Sequence, residues 1–236
     1  MIPEIRVARR GLLHGAALLG TGLLVSGCSK NEGGSKAGGE TAEEVGPGED
    51  LMREHGVLKR VILIYRDILA RLDARQDFPP DVLAGSAKLI RNFVEDYHEK
   101  LEEDYLFPRF KKANRLTDLV DVLATQHQKG RVLTDTILRL ATPAMLKDAE
   151  QRRSLSDAMR QFIRMYEPHE AREDTVLFPE FHKIVSQHEY DALGDEFEKK
   201  ENQLFGGDGF EKNVDAVAGL EKTLGIYDLA QFTPNV

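Results

Sequence analysis

The 236-residue sequence predicts an all-α protein, an up-down antiparallel four-helix bundle with two short additional C-terminal helices. Apolar residues recur at intervals of three and four through four long segments after residue 50. The connections between these segments are short, as antiparallel neighbours require. No segment alternates apolar and polar residues as a half-buried strand does. With 41% hydrophobic and 31% charged residues, the composition is that of an ordinary globular protein.

The first two segments each predict a long amphipathic helix. Apolar residues between positions 51 and 72 share one face with His55, which predicts a helix of about 25 residues that ends near Arg75. Pro79 and Pro80 suit the first turn of the second helix, because a proline at that position loses no helical hydrogen bond. The inward face of this helix is predicted to contain Leu83, Ala87, Val94, His98, Leu101 and Tyr105.

The third helix is predicted from about Thr117 to Ala141, with His127 on its apolar face. The inward face of the fourth helix is predicted to contain Leu155, Met159, Phe162, Tyr166, His169, Glu173 and Val176. Two shorter helices are expected at about 189–204 and 210–224, separated by the glycine-rich stretch 206–209. We expect them to pack outside the bundle.

The chain is predicted to have four parts. Residues 1–28 have three arginines, then an uncharged run interrupted only by His14, and end at Cys28, which indicates an export signal. Residues 29–48 contain six glycines and almost no apolar side chain, so they are predicted to be a flexible linker. The bundle is assigned to residues 49–185 and a C-terminal helical extension to residues 186–236.

The end of the export signal resembles a bacterial lipobox, which implies that Cys28 is lipidated and becomes the first mature residue. The Arg9-Arg10 pair resembles a twin-arginine signal, although an ordinary secretory signal also fits. We therefore expect an exported protein, in the periplasm or on the outer face of the cell envelope. Contact with the membrane is expected only through a lipid anchor at Cys28.

Charge and cysteine content exclude several functions. The net charge of −8 gives no basic surface for phosphates, so no nucleic-acid partner is expected. A single cysteine cannot form an intramolecular disulfide or a cysteine-rich metal cage. Any metal must therefore be bound by histidines and carboxylates.

Four histidines lie on the predicted inward faces, one on each long helix: His55, His98, His127 and His169. A lone buried histidine is usually only hydrogen-bonded within the core. Four neutral imidazoles that converge in an apolar interior need partners, because each unpaired buried polar group costs about 1–3 kcal/mol. A metal ion would satisfy all four.

Two of these histidines are followed one helical turn later by a glutamate. Both His98-x-x-x-Glu102 and His169-x-x-x-Glu173 place the two side chains on one helix face. A Leu-Phe-Pro sequence follows each pair, at 106–108 and 177–179, and the offset between the two copies is 71 residues. His55 and His127 are 72 residues apart, so residues 50–181 read as two helix pairs of one design.

This order of histidines and glutamates resembles the hemerythrin-like family of cation-binding domains, over about residues 50–185. The resemblance implies a non-heme di-iron centre inside an up-down four-helix bundle, with an oxo or hydroxo bridge; other divalent cations are possible. It implies that His55 and His98 bind one iron and that His127 and His169 bind the other. Glu102 and Glu173 would bridge the two ions.

The sequence departs from respiratory hemerythrins, which have a fifth histidine one turn from the ligand on the third helix. Leu123 and Arg131 occupy those places here, which leaves a coordination position open to a small molecule. Glu99 and Glu170 follow the two motif histidines and could supply a missing ligand or a hydrogen bond to one. The alternative for both is an exposed helix face.

The resemblance implies that the protein binds or senses O2, or a related ligand such as NO or peroxide. A redox enzyme, an oxidase or peroxide scavenger, is the alternative, and an iron-handling protein is a further one. The sequence leaves enzymatic turnover undecided and favours binding. No signalling output domain or protein partner is identifiable.

Overall fold

A computed structural model describes residues 45–236, and all regular secondary structure in this range is helical. The expected all-α class is confirmed. Six main helices follow in order: α1 Pro47–Asp73, α2 80–112, α3 Thr117–Leu140, α4 149–184, α5 Gln187–Phe205 and α6 Gly209–Leu224. Short 3₁₀ helices lie at Met145–Lys147 and Leu229–Phe232. The predicted export signal, Cys28 and the linker up to residue 44 lie outside the described residues.

Local sequence sets the ends of the helices. Pro47 occupies the first turn of α1, two residues before the expected start of the folded region. The Asp148 carboxylate accepts hydrogen bonds from two backbone N–H groups and caps α4. Gly206 ends α5 in the left-handed conformation (φ +66°), which glycine adopts without steric cost.

The four long helices form a closed ring of contacts, in which each helix packs against two neighbours. α1 contacts α2 and α4, and α3 contacts the same two helices. α6 packs on α1 and α2, while α5 contacts α1 and α6. The core between them is aromatic and aliphatic, with Tyr65, Phe93, Phe162 and Phe181 among its fully buried side chains. None of the helices within residues 45–236 combines the length and apolar character needed to cross a membrane.

Helices α2 and α4 contain wider π-helical turns, which the 3.6-residue periodicity did not predict. They span Ile90–His98, Glu102–Leu106 and Glu173–Leu177. Two of them end at the leucine of a Leu-Phe-Pro sequence, Leu106 and Leu177. Pro108 and Pro179 have no N–H to donate, and in a regular α-helix their rings would collide with the carbonyl four residues earlier. A wider turn relieves that collision. Each of these two turns begins at a candidate metal-binding glutamate.

Candidate metal centre

The six candidate ligands converge from four different helices. His55 comes from α1, His127 from α3, and the two His-x-x-x-Glu pairs come from α2 and α4. All six side chains are at most 4% exposed. The imidazole centroids of His55 and His98 are 4.7 Å apart, and those of His127 and His169 are 5.1 Å apart. The alternative of unrelated core histidines does not fit this convergence.

The donor atoms form two groups, each able to hold a metal ion. One group is His55, His98 and Glu102, and the other is His127, His169 and Glu173. Within each group, one ligand atom from each residue lies within 4.8 Å of the others. The two histidines of each group come from different helices, α1 and α2 in the first and α3 and α4 in the second.

Each glutamate faces histidines of both groups. The Glu102 Oε2 atom lies 3.8 Å from Nε2 of His98 and 3.4 Å from Nε2 of His127. The Glu173 Oε2 atom lies 3.4 Å from Nε2 of His55 and 3.1 Å from Nε2 of His169. The two carboxylates therefore lie between the two groups.

The Nδ1 atom of every candidate histidine has its own hydrogen-bond partner on another helix. His55 donates to Asp174 at 2.7 Å, His98 to Glu54 at 2.8 Å, His127 to Glu103 at 3.1 Å and His169 to Gln126 at 2.8 Å. Carboxylate and amide oxygens accept hydrogen bonds, so each Nδ1 carries its hydrogen, and the neutral form of each imidazole directs an Nε2 lone pair to the centre. This is how metal-binding histidines are usually oriented.

Several atoms at the centre of the cluster are buried without a hydrogen-bond partner among the described residues. They are Nε2 of His98 and His127 and both carboxylate oxygens of Glu102 and Glu173. Unpaired buried polar groups are costly, and several that point at one another are unusual in a folded protein. A cation would satisfy all of them, and imidazole and carboxylate are ligands that suit iron. The residues present therefore fit a metal centre.

Without a cation, the buried acidic and basic groups of the cluster shift one another's pKa values. Burial and the nearby Glu173 carboxylate raise the pKa of Glu102 well above its usual value. Burial opposes ionisation of Glu173 too, but the neighbouring His169 and His55 hold its pKa well below the usual range. Burial lowers the pKa of His55, yet hydrogen bonds to Asp174 and Glu173 raise it to about 9. A bound cation would remove the repulsion between the two central glutamates.

Phenylalanines of the Leu-Phe-Pro sequences cover the cluster. The Phe107 ring stacks on His127 with centroids 5.4 Å apart, and the Phe178 ring packs on His55 at 5.5 Å. Both phenylalanines are buried. They exclude water from the two histidines that lie outside the His-x-x-x-Glu pairs.

Glu99 and Glu170 are buried, at 1% and 3% exposure, so the alternative of an exposed helix face is wrong for both. The Glu99 Oε1 atom accepts a hydrogen bond from the Tyr166 hydroxyl at 2.7 Å, and Oε2 lies 4.0 Å from Nδ1 of His127. Burial raises the pKa of Glu99 to about 8, although the Tyr166 hydroxyl and the Arg131 guanidinium both favour its ionised form. Burial also raises that of Glu170, to about 7.

Two cations neutralise the acidic groups behind the histidines. Arg131 bonds Glu99 at 2.8 Å and Glu103 at 2.7 Å. Lys59 lies 3.0 Å from Asp174 and 4.0 Å from Glu170. Glu99, Glu103 and His127 also have the spacing of a small metal site, but the Arg131 guanidinium already pairs with both of its carboxylates.

The sequence did not identify the Nδ1 partners or Gly130. A Cβ atom at Gly130 would lie 1.9 Å from the Tyr166 hydroxyl oxygen, so only glycine lets this hydroxyl reach Glu99. The sequence did contain an indication of this role, because a glycine in the middle of a long helical pattern indicates close packing.

Comparison with known proteins agrees with this site. A family model described as the hemerythrin HHE cation-binding domain matches residues 47–145 and again 118–224. Uncharacterized proteins from Mycobacterium tuberculosis and Mycobacterium bovis are each 48% identical to the chain over 238 residues. Each alignment covers 99% of this chain and 93% of the relative. No solved structure matches the chain.

Proposed function

The chain belongs to the hemerythrin HHE cation-binding domain family, and on that premise we propose that it is a non-heme di-iron protein that binds or senses a small oxygen ligand. The ligand class is O2, NO or peroxide. We further propose that α1 to α4 form an up-down antiparallel four-helix bundle around the metal pair. The closed ring of contacts among these four helices supports that arrangement.

One observation carries the proposal: two donor groups from four helices share two carboxylates in a dry interior. Each of Glu102 and Glu173 faces one histidine of each group. Two cations a few ångströms apart repel strongly at low dielectric, and shared carboxylates offset that repulsion. Two ions per chain therefore fit this donor set better than one.

Bound iron supplies a redox-active Lewis acid that can take an oxygen or nitrogen ligand. The protein contributes orientation and exclusion of water. Hydrogen bonds at Nδ1 hold the four imidazoles with Nε2 inward, and Phe107 and Phe178 cover the site. Each group has two histidines and one glutamate, or two glutamates if both are shared, so a bound iron would keep room for an exchangeable ligand.

An optical experiment tests ligand binding. The iron-loaded, reduced protein is exposed to air and then to vacuum, and its near-ultraviolet and visible spectrum is recorded at each stage. Reversible binding predicts an absorption change in air that disappears under vacuum. An unchanged spectrum in air would contradict the proposal. Sustained consumption of peroxide with a reductant would instead identify a redox enzyme, and iron release without either would identify an iron-handling protein.

We propose that the protein acts at the cell envelope, anchored through a lipid on Cys28. The basic start, the uncharged run and the lipobox-like end of residues 1–28 support this location. Cys28→Ser is expected to abolish incorporation of a labelled fatty acid and to move the protein from the membrane fraction to the soluble fraction. Labelling of the Cys28→Ser variant at the level of the parent protein would rule out this anchor.

A further inference from the structure

The contacts around the metal centre repeat between the two halves of the chain. Asp174 bonds His55 in one half as Glu103 bonds His127 in the other. Lys59 and Arg131 follow His55 and His127 by four residues, and each faces two carboxylates behind its histidine. The 71- and 72-residue offsets of the sequence thus extend to the residues that orient the ligands.

Among the hydrogen-bond acceptors of the four Nδ1 atoms, one corresponding pair differs in charge. Glu54 precedes His55 and accepts the Nδ1 hydrogen bond of His98 at 2.8 Å. Gln126 precedes His127 and accepts the Nδ1 hydrogen bond of His169, also at 2.8 Å. The two hydrogen bonds have the same length and lie at corresponding positions of the two halves. The acceptor is a carboxylate in the first and a neutral amide in the second.

This difference changes the electrostatics of one metal position. Glu54 is 2% exposed, so water screens its charge poorly. A carboxylate on Nδ1–H makes the imidazole a stronger donor at Nε2 and adds negative charge near the cation. Gln126 orients His169 equally well and adds no charge. The other orienting residues compared above have the same charge in both halves: Asp174 corresponds to Glu103, and Lys59 corresponds to Arg131.

We propose that the two metal positions are unequal: the position formed by His55, His98 and Glu102 binds a divalent cation more tightly and fills first. The position formed by His127, His169 and Glu173 fills second and releases its metal first. The inference rests on the proposed two-metal function. It adds an order of filling, set by Glu54 and Gln126.

Stepwise metal binding tests the inference without any activity assay. Co²⁺ is titrated into the metal-free protein and followed by calorimetry and by its visible absorption. Hydrogen-bond partners of metal-binding histidines are worth roughly 10–100-fold in metal affinity. We therefore expect two steps, of about one ion each, whose dissociation constants differ by a factor in that range.

Two reciprocal variants assign the steps. Glu54→Gln is expected to weaken the tight step and leave the weak step nearly unchanged, while Gln126→Glu strengthens the weak step. Both changes make the two halves alike, so each is expected to bring the two dissociation constants together. Gln128→Glu is a matched control, because it adds the same charge on the same helix at an exposed position. Circular dichroism checks that every variant is folded.

The possible results distinguish failure of the inferred filling order from failure of the proposed function on which it rests. Two equal steps in the parent protein, or two unequal steps that neither variant moves, would overturn the inference alone. Glu54→Gln acting on the weak step would overturn it as well. A parent protein that binds no Co²⁺, Zn²⁺ or Fe²⁺ would overturn the proposed function together with the inference.

Discussion

Replacing Glu102 or Glu173 by alanine is expected to remove most of the bound metal, from about two ions per chain to well below one. Each carboxylate faces a histidine of both groups, so the loss of either one affects both positions. Loss of shared negative charge also increases the repulsion between two cations in a dry site. Elemental analysis of protein purified from its own host measures the metal content directly.

Asp104→Ala is the matched control for this experiment. Asp104 is exposed and lies in the same π-helical turn as Glu102, so its removal tests the turn without touching the centre. The control is expected to keep the full metal content. Unchanged metal in both glutamate variants would show that the two carboxylates do not bridge. A single variant that lost one ion and kept the other would assign that glutamate to one position only.

The sequence predicted the main helices and the six central side chains because both depend on local spacing. A histidine and a glutamate four residues apart face the same side of any regular helix. The repeat at 71 and 72 residues then indicated that both pairs meet. α3 was expected at Thr117–Ala141 and spans Thr117–Leu140.

The residues that orient the histidines could not be predicted in this way. Asp174 bonds His55 across 119 positions of sequence, and Glu103 bonds His127 from another helix. Both acids lie five residues after a motif histidine, a spacing that points away from the ligand face in a regular α-helix. The π-helical turns at Glu102–Leu106 and Glu173–Leu177 widen the helix at these positions. Their contacts depend on packing between helices, which spacing alone does not specify.

The same centre is expected to cost stability when it is empty. Burial and Glu173 raise the pKa of Glu102, so the folded state holds its proton more strongly than the unfolded chain does. The fold therefore loses stability from this group as pH rises above about 4.5, the ordinary value. Neither carboxylate oxygen of Glu102 has a hydrogen-bond donor among residues 45–236 to offset the cost. A bound cation removes this penalty and stabilises the folded state, because the cation binds only the folded state.

Glu102→Gln is therefore expected to make the metal-free protein more stable at neutral pH while it lowers metal affinity. The amide keeps the shape of the side chain, carries no charge and can donate a hydrogen bond to Glu173. Removing the cost of burying or protonating this carboxylate is worth about 1–3 kcal/mol, or roughly 2–12 °C in melting temperature for a domain of this size. Thermal unfolding with a chelator at pH 4.5 and pH 7 measures the effect, and the gain has to be larger at pH 7. With metal at about 1,000 times its dissociation constant, the order reverses, because binding then adds about 4 kcal/mol to the parent protein. A metal-free variant that melts below the parent at pH 7 would mean that Glu102 stabilises the fold by itself, independently of any cation.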